Sequence, residues 1–379
     1  MTILEAATLL IFIPYLVVIA SLAYGWNKAR QVRSGVKAAA GNTRISVIIA
    51  LRNEAEQVDR LFEALVLQDY PVQEWEVIAV DDHSEDSTLS RLQGWHHVSR
   101  LNVKILQTGS DAAGKKAALS RGIGQAGGEL IVTTDADCRM GSGWLSSLAA
   151  FYERNGSHLM FGPVLFEEGR PRFFTRLQSL EFLTLMATAA GSSRLGHSVF
   201  CNAANMAFPR QLYNRLDDPL MRDLASGDDT MLLLKVKKLD PARVAFNPDP
   251  ECQVITQPMV RLGDFWNQRK RWASKSRHYN DPDILLTGGV VMITNFWLLF
   301  LFTGSPWSQA LASMLLAALP AKMAIDALLI WPAMKHFNKR HLWRYFIPGQ
   351  LLYPVYSSLS VLAGRLSGFT WKNRRYHVN

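Results

Sequence analysis

The sequence predicts an α/β domain with a mostly parallel sheet, flanked on both sides by transmembrane helices. Hydrophobic residues make up 49% of the 379 positions, but they are concentrated in the two ends around a more polar middle. The middle alternates short apolar strands with helices, a pattern typical of a doubly wound parallel sheet. The two ends carry long uncharged runs that are typical of membrane spans.

Residues 1–27 are predicted to form an N-terminal transmembrane anchor. The stretch 6–26 is uncharged, and at ~1.5 Å per residue it can cross a ~30 Å hydrocarbon layer. A cleaved signal peptide would carry its basic residues before the apolar run. Here the basic residues follow it, beginning at Lys28 and Arg30, so we expect a retained anchor that runs from outside to inside.

Residues 42–255 are predicted to form the α/β domain. Four strands are expected at 45–51, 76–82, 103–106 and 129–137, with helices at 54–68, 87–95 and 115–125 between them. Such sheets bind ligands beyond the carboxyl ends of their strands. Acidic residues stand at two of these ends, so we expect the functional site there.

Residues 256–282 are predicted to form an amphipathic interfacial segment, and residues 283–364 to return to the membrane. No charged residue occurs at 284–321, which is enough for one crossing and most of a second. The second would contain Lys322 and Asp326, whose i,i+4 spacing predicts that they neutralise one another.

The last uncharged stretch, 345–364, contains Pro348 and Pro354. A full crossing there would put the basic tail, 365–379, on the side opposite the α/β domain, which the positive-inside rule disfavours. This stretch is therefore the first candidate for a re-entrant or interfacial segment.

Charge and cysteine content exclude several classes of protein. The net charge is +9, but the basic residues gather beside the apolar runs, which favours a cytoplasmic membrane face over a nucleic-acid groove. Cys138, Cys201 and Cys252 lie far apart in the sequence, so neither a disulfide framework nor a zinc site is expected. We predict no nucleic-acid partner and a reducing, cytoplasmic location for the polar domain.

Asp135 and Asp137 are the strongest candidates for metal ligands. Two carboxylates at i and i+2 after a strand can approach one hard cation, Mg²⁺ or Mn²⁺, which completes its shell with water and phosphate oxygens. Asp82 can accept a hydrogen bond from a nucleobase, and Lys115 at a helix N-terminus suits a diphosphate. Turn capping and an ordinary solvated lysine are the alternatives for these residues.

Two further motifs follow. Gly227 is followed by Asp228 and Asp229, which alternatively form a helix N-terminus. The run QRKRW, from Gln268 to Trp272, is alternatively a basic interfacial helix.

The ordered motifs VIIALRNE, VDDHSEDST, GKKAAL, TTDADC, FCNAANMAF, GDD and QRKRW, over residues 45–272, resemble the family 2 glycosyltransferases, inverting enzymes with a GT-A fold. The resemblance is to the membrane-bound D, D, D, QxxRW type, which includes ceramide glucosyltransferase-like and polysaccharide synthase-like enzymes. It implies site roles for matching residues. They are Asp82 for uracil, Asp135 and Asp137 for metal and diphosphate, Lys115 for diphosphate, Asp229 as general base, Gln268, Arg271 and Trp272 for donor diphosphate and acceptor mouth, and Cys201, Asn202 and Asp228 for the acceptor pocket.

The resemblance implies transfer of a hexose or N-acetylhexosamine from a UDP-sugar to a lipid acceptor, at the inner (plasma) membrane. A processive polysaccharide synthase and a non-catalytic membrane subunit are the alternatives. Gly227 and Asp228 replace the Thr-Glu that commonly precedes the base, which leaves the identity of the acceptor open.

Overall fold

The computed structural model describes residues 2–32, 42–98, 100–109, 114–169, 172–220, 227–275, 279–366, 369–371 and 374–376. The chain divides into two compact units. The α/β unit comprises Gln31–Glu167 and Phe200–Gln257, and the helical unit comprises Met1–Arg30, Glu168–Val199 and Pro258–Asn379. The predicted domain 42–255 is continuous in sequence, whereas the compact α/β unit excludes an internal segment that packs with the helical unit.

Seven strands of the α/β unit form one sheet in the order β3-β2-β1-β4-β8-β6-β9. A second, three-stranded sheet has the order β5-β10-β7. The strands are β1 (Ile45–Leu51), β2 (Trp75–Asp81), β3 (Val103–Gln107), β4 (Leu130–Asp135), β5 (Arg139–Met140), β6 (Leu159–Phe161), β7 (Val164–Phe166), β8 (Met206–Pro209), β9 (Val244–Phe246) and β10 (Val254–Thr256). The helices are α2 (Ala55–Val66), α3 (Thr88–Val98), α4 (Lys115–Gly124), α5 (Trp144–Asn155), α7 (Arg210–Arg215) and α8 (Asp228–Leu239).

The first four strands confirm the predicted parallel core. β1 pairs in parallel with both β2 and β4, and β3 pairs in parallel with β2, while β8 runs antiparallel to β4. The three central strands, β1, β2 and β4, are almost entirely buried, with every residue of β2 buried, whereas β3 at the edge of the sheet is only partly buried. Helix α4 lies close against β1, since a Cβ at Gly122 would stand 2.7 Å from the Ile48 side chain.

The helical unit contains six long helices and a short hairpin among the described residues. The helices are α1 (Ile3–Ala29), α6 (Phe173–Arg194), α9 (Leu262–Ser274), α10 (Pro282–Gly304), α11 (Gln309–His336) and α12 (Phe346–Leu366), and the hairpin is β11 (Phe369–Trp371) with β12 (Arg374–Tyr376). A short 3₁₀ helix, Arg340–Tyr345, joins α11 to α12. Among the described residues, three helices are long and apolar enough to cross a membrane: α1, α10 and α11.

Helix α6 packs inside the helical unit against α1 and α11. Small residues allow the close approach to α1, because a Cβ at Gly25 would stand 2.2 Å from the carbonyl oxygen of Gly191. Ala187, Ala189 and Ala190 of α6 are fully buried.

A buried polar centre joins α1, α11 and α12. The Lys322 ammonium lies 2.6 Å from Asp326 Oδ2 and donates to Gln350 Oε1 at 2.7 Å. The Tyr15 hydroxyl donates to the other oxygen of Asp326. The pairing of Lys322 with Asp326 that the i,i+4 spacing predicts is therefore present, and two residues distant in sequence complete it.

Candidate active site

The acidic motifs of the α/β unit meet at one edge of the large sheet. β2 ends at Asp81 and β4 ends at Asp135, and both strands are paired in register with β1, which lies between them. Because the three strands are parallel, their carboxyl ends lie together. The sheet thus brings the acids at these two strand ends to the same edge.

Lys115 connects two of the predicted site carboxylates. Its ammonium lies 2.6 Å from Asp135 Oδ1 and 3.6 Å from Asp228 Oδ2. Burial alone would lower the pKa of Lys115, but the charges of Asp135 and Asp228 outweigh it and hold the pKa above its usual range. The first residue of α4 is therefore a permanent cation that joins the end of β4 to the start of α8.

Asp135 and Asp137 suit a divalent cation that shares its coordination shell with a ligand. Asp137 accepts a hydrogen bond from the Thr256 hydroxyl at 2.9 Å, and burial, followed by the charge of Asp135, raises its pKa. No group of three or more His, Cys, Asp or Glu side chains suited to a metal occurs in the described part of the chain. Two carboxylates fit Mg²⁺ or Mn²⁺, which keep positions for water and phosphate oxygens.

The end of β2 differs in detail from the sequence prediction. The carboxylate of Asp82 is buried and accepts two hydrogen bonds from the Gly114 backbone N–H, at 2.9 and 3.0 Å, and one from the Thr108 hydroxyl at 3.2 Å. Among the described residues, Asp81 Oδ1 is buried without a hydrogen-bond partner. The sequence analysis assigned a role to Asp82 and none to Asp81. The position of Asp81 directly before Asp82 was the signal that could have identified it.

Asp228 and Asp229 begin helix α8 and point to different partners. Asp228 is buried and faces Lys115. Asp229 is half-buried, and its Oδ1 accepts from the backbone N–H of Thr230 at 2.7 Å. The first helical turn favours both negative charges through the helix dipole. The alternative of a helix N-terminus accounts for the position of Asp228 at the start of α8, but it does not account for its pairing with Lys115.

The predicted acceptor-pocket residues border the start of α8. Cys201 Sγ lies 3.4 Å from the backbone carbonyl oxygen of Asp229. Asn202 caps the following 3₁₀ turn by accepting from the Ala204 N–H at 3.0 Å. All three cysteines are buried and free of disulfides, as their sequence spacing predicts.

Gln268, Arg271 and Trp272 belong to α9 of the helical unit, and a residue that the sequence analysis passed over organises this helix. Arg269 is buried and donates to Gln268 Oε1 at 2.7 Å. Its guanidinium carbon lies 4.3 Å from the ring centroid of Trp272. The guanidinium also forms an ion pair with Glu181 of α6. Only the spacing of Phe265, Arg269 and Trp272 along one helical face signalled this in the sequence.

The fold and the acid cluster at its strand ends define an α/β domain with a ligand site at the carboxyl edge of its sheet, and comparison with known proteins specifies the class. Residues 46–217 match the model of glycosyl transferase family 2. This region therefore carries a family 2 glycosyltransferase domain, and the α/β unit has the GT-A fold, as the resemblance implied.

Similar proteins act on several acceptors. The poly(ribitol-phosphate) beta-N-acetylglucosaminyltransferase of Staphylococcus aureus is 32% identical over 117 residues, 31% of this chain and 20% of that protein. The beta-monoglucosyldiacylglycerol synthase of Trichormus variabilis is 22% identical over 295 residues, 75% of this chain and 58% of that protein. The matches thus span between about a fifth and three fifths of these two relatives.

A solved structure shares the fold over most of the chain. It is a mannosyltransferase from Pyrobaculum calidifontis in complex with GDP-Man and Mn²⁺, which aligns with a TM-score of 0.59 and 20% identity over 92% of this chain and 99% of its own. This similarity supports the fold. The individual roles assigned to the site residues remain predictions.

Proposed function

We propose that the protein is an inverting glycosyltransferase that moves a hexose or N-acetylhexosamine from a UDP-sugar to a membrane lipid. The observation that carries this proposal is the Lys115 ammonium held between Asp135 and Asp228 at the carboxyl edge of the family 2 sheet. A fixed cation among carboxylates is suited to a diphosphate leaving group that arrives with its metal.

In the proposed mechanism, Asp135 and Asp137 would hold Mg²⁺ or Mn²⁺. When bound, the cation supplies positive charge that stabilises the departing diphosphate. Lys115 adds a second positive charge, and the N-terminus of α4 adds its backbone N–H groups. Asp229 removes the proton from the acceptor hydroxyl as its oxygen attacks the anomeric carbon, a role that typically contributes ~10²–10⁴-fold to the rate.

The donor and metal assignments draw on different supports. The solved mannosyltransferase binds GDP-Man with Mn²⁺, which supports a divalent metal. One solved structure of the staphylococcal relative is in complex with UDP-GlcNAc. We propose UDP because the motifs resemble UDP-sugar enzymes, with Asp82 and its neighbour Asp81 at the nucleobase end of the site. Gln268, Arg271 and Trp272 would contact the donor diphosphate and the acceptor.

A lipid acceptor is favoured by two observations. The relative that aligns over 75% of this chain is named for glucosylation of diacylglycerol, and another is a dodecaprenyl-phosphate galacturonate synthase. The described part of the chain also contains three helices long and apolar enough to span a membrane. We place the protein in the inner (plasma) membrane as a multi-pass protein with its α/β unit in the cytoplasm, since basic residues follow the first span.

The decisive test is a panel of sugar nucleotides incubated with purified protein and a total lipid extract, read by mass spectrometry. A hexose or N-acetylhexosamine adduct on an extractable lipid is expected. A high-mass polymer instead would establish the processive alternative, and absence of transfer from every donor would favour the non-catalytic alternative.

The general base is tested separately with Asp229→Asn, which should lower transfer ~10²–10⁴-fold. Asp59→Asn, at a half-exposed position on α2, is the matched control and should keep wild-type transfer. Wild-type turnover in the Asp229→Asn variant would exclude the base assignment. Chelation with EDTA should abolish turnover, and Mn²⁺ or Mg²⁺ should restore it.

A further inference from the structure

The order of the candidate spans implies that both ends of α12 lie on one side of the membrane. Helices α10 and α11 are consecutive candidate spans joined by a short turn, so α11 returns to the side where α10 begins. The 3₁₀ helix that follows α11 leads directly into α12. At the other end, a Cβ at Gly364 would stand 2.6 Å from Ala273 of α9, the helix that precedes α10. Helix α12 therefore starts and ends on the side of α9 and does not cross.

Helix α12 has one buried face and one exposed apolar face. The buried face includes Phe346, Gln350 and Ser357. Exposed apolar residues follow helical spacing on the other face: Ile347, Leu351, Leu352, Leu359 and Leu362. A helix that does not cross the membrane and exposes an apolar stripe is typical of one that lies in the membrane interface.

The chain beside this helix is strongly basic. After Asp326 the sequence contains eight Lys and Arg residues and no Asp or Glu, so this segment accounts for most of the net charge of +9. Glu168 binds two of the nearby basic groups, Lys339 and His341, each at 3.0 Å. Among the described residues, the two arginines of this 3₁₀ helix have no such partner.

Arg340 and Arg344 are exposed and, in the part of the chain that the structure describes, pair with no carboxylate. Between them, Trp343 is 40% exposed and stacks on Phe346 with ring centroids 4.4 Å apart. Exposed Lys335, at the end of α11, lies over the ring of Trp331 at 5.0 Å. Basic groups alternating with aromatic rings are suited to the headgroup level of a bilayer.

We propose that Lys335, Arg340 and Arg344 form a basic collar that binds anionic phospholipid headgroups, with the apolar stripe of α12 inserted in the same leaflet. Negative headgroups complement the unpaired cations, and the adjacent stripe requires an apolar neighbour that acyl chains provide. Helix α12 packs along α9, which carries the QxxRW residues, so bound lipid would hold that helix in place. This last consequence rests on the proposed function, whereas lipid binding does not.

The test uses full-length protein in nanodiscs of phosphatidylcholine alone or with 30 mol% phosphatidylglycerol, an order-of-magnitude match to anionic leaflets. Native mass spectrometry counts phosphatidylglycerol retained by the released protein. The double variant Arg340→Gln/Arg344→Gln should weaken retention about 5-fold per arginine removed, and 1 M salt should weaken it in the wild type. The control Arg60→Gln/Arg100→Gln removes two exposed arginines of the α/β unit and should retain lipid normally.

Equal retention by the wild type and the collar variant would overturn the proposal. So would displacement of phosphatidylglycerol by inorganic phosphate at millimolar concentration, since this would indicate a site for a free anion. Transfer measured in parallel separates the two proposals: an active enzyme that retains no anionic lipid contradicts the collar alone. Unchanged thermal unfolding of the double variant would show that reduced retention does not reflect misfolding.

A second observation, independent of the collar, concerns α9. Arg269 is 4% exposed and contacts Gln268, Phe265 and Trp272 of its own helix as well as Glu181 of α6. The ring of Phe182 stacks against the ring of Trp272, with ring centroids 6.3 Å apart. We infer that Arg269 is a positioning residue that fixes the side chains of Gln268 and Trp272 for the donor, an inference that rests on the proposed function.

The second test measures binding of UDP with Mn²⁺ by calorimetry, in the inactive Asp229→Asn background. Arg269→Met should weaken UDP binding about 10-fold, in the range for losing a charged hydrogen bond, and Arg269→Lys should recover part of it. Lys270→Met, which removes the neighbouring charge, should bind normally. A lower unfolding temperature with unchanged UDP affinity would overturn the positioning role, whereas loss of binding in every variant and in the background protein would contradict the proposed function.

Discussion

The two units of the protein each contain a cluster of charged groups, and the two clusters differ in charge balance. In the α/β unit, Lys115 faces both Asp135 and Asp228, with Asp137 close by in the sequence. In the helical unit, Lys322 faces Asp326 alone, with neutral Tyr15 and Gln350 completing the hydrogen bonds. The first cluster has surplus carboxylates and the second is neutral.

This difference separates chemistry from architecture. Lys322 is 1% exposed and Asp326 is 8% exposed, and such a pair is tolerated because every charge has a partner. The side chain of Asp135 is 35% exposed, so a cation and a diphosphate can reach it. Surplus negative charge at an accessible site indicates ligand binding, whereas neutral, enclosed charge indicates a fixed arrangement of helices.

The largest effect is expected from breaking the neutral cluster. Asp326→Ala leaves the Lys322 ammonium buried without its counter-charge, and should destabilise the protein by about 3–5 kcal/mol. The double variant Lys322→Met/Asp326→Leu removes both charges and should recover most of that loss. Denaturant unfolding in detergent micelles measures the difference. If the single and double variants were equally unstable, the pair would not be the source of the effect.

The next largest effect is expected at the surplus carboxylates. Asp135→Asn should reduce transfer by about 10²–10³-fold, the typical cost of removing one electrostatic contact to a transition state. Stability should change little, because a surplus negative charge is removed and Lys115 keeps Asp228. Initial rates and unfolding curves on the same preparation give both numbers. A large loss of stability would indicate that this cluster is architectural as well.

The sequence predicted the parts of both clusters that lie close in the chain. Runs of apolar residues located β1, β2 and β4, and the acids that end β2 and β4 therefore located Asp135. The i,i+4 spacing on α11 predicted the pairing of Lys322 with Asp326. These patterns suffice because strand ends and helical turns bring their residues together locally.

The contacts between distant segments could not be predicted. Tyr15 meets Asp326 across 311 positions, and no local pattern encodes which helices pack together. Helix α6 lies within the predicted 42–255 domain in sequence but belongs to the helical unit. Its apolar residues suit a core in either unit, so the sequence alone does not assign it. Arg269 is one of three adjacent basic residues in QRKRW, and only packing against α6 distinguishes it from its neighbours.

A smaller effect is expected from Lys115→Met, which should raise the affinity for Mn²⁺ while it lowers transfer. Without donor, the ammonium occupies Asp135 at 2.6 Å and competes with a metal for the same carboxylate. Removing it should tighten Mn²⁺ binding about 10-fold, given the strength of charge interactions at such distances, while transfer falls because the diphosphate loses its cation. Paramagnetic resonance titration of free Mn²⁺ measures the affinity.

Lys104→Met is the matched control for Lys115→Met. Lys104 also pairs with a carboxylate of the α/β unit, Glu76 at 2.7 Å. It lies near the start of β3, away from the acids at the strand ends. Its removal should leave Mn²⁺ affinity unchanged. If Lys115→Met bound Mn²⁺ no better than the wild type, Asp135 would not be the ligand for which lysine and metal compete.

The smallest effect is expected from Tyr15→Phe in the neutral cluster. Tyr15 donates one hydrogen bond to Asp326 from α1, but Lys322 continues to neutralise the carboxylate after its removal. The loss should be about 1 kcal/mol, within the range for hydrogen bonds between membrane helices, and transfer should be unaffected. Unfolding in micelles checks the first value. A loss as large as that of Asp326→Ala would mean that hydrogen bonding, rather than charge neutrality, maintains the cluster, and the distinction drawn between the two units would then depend on accessibility alone.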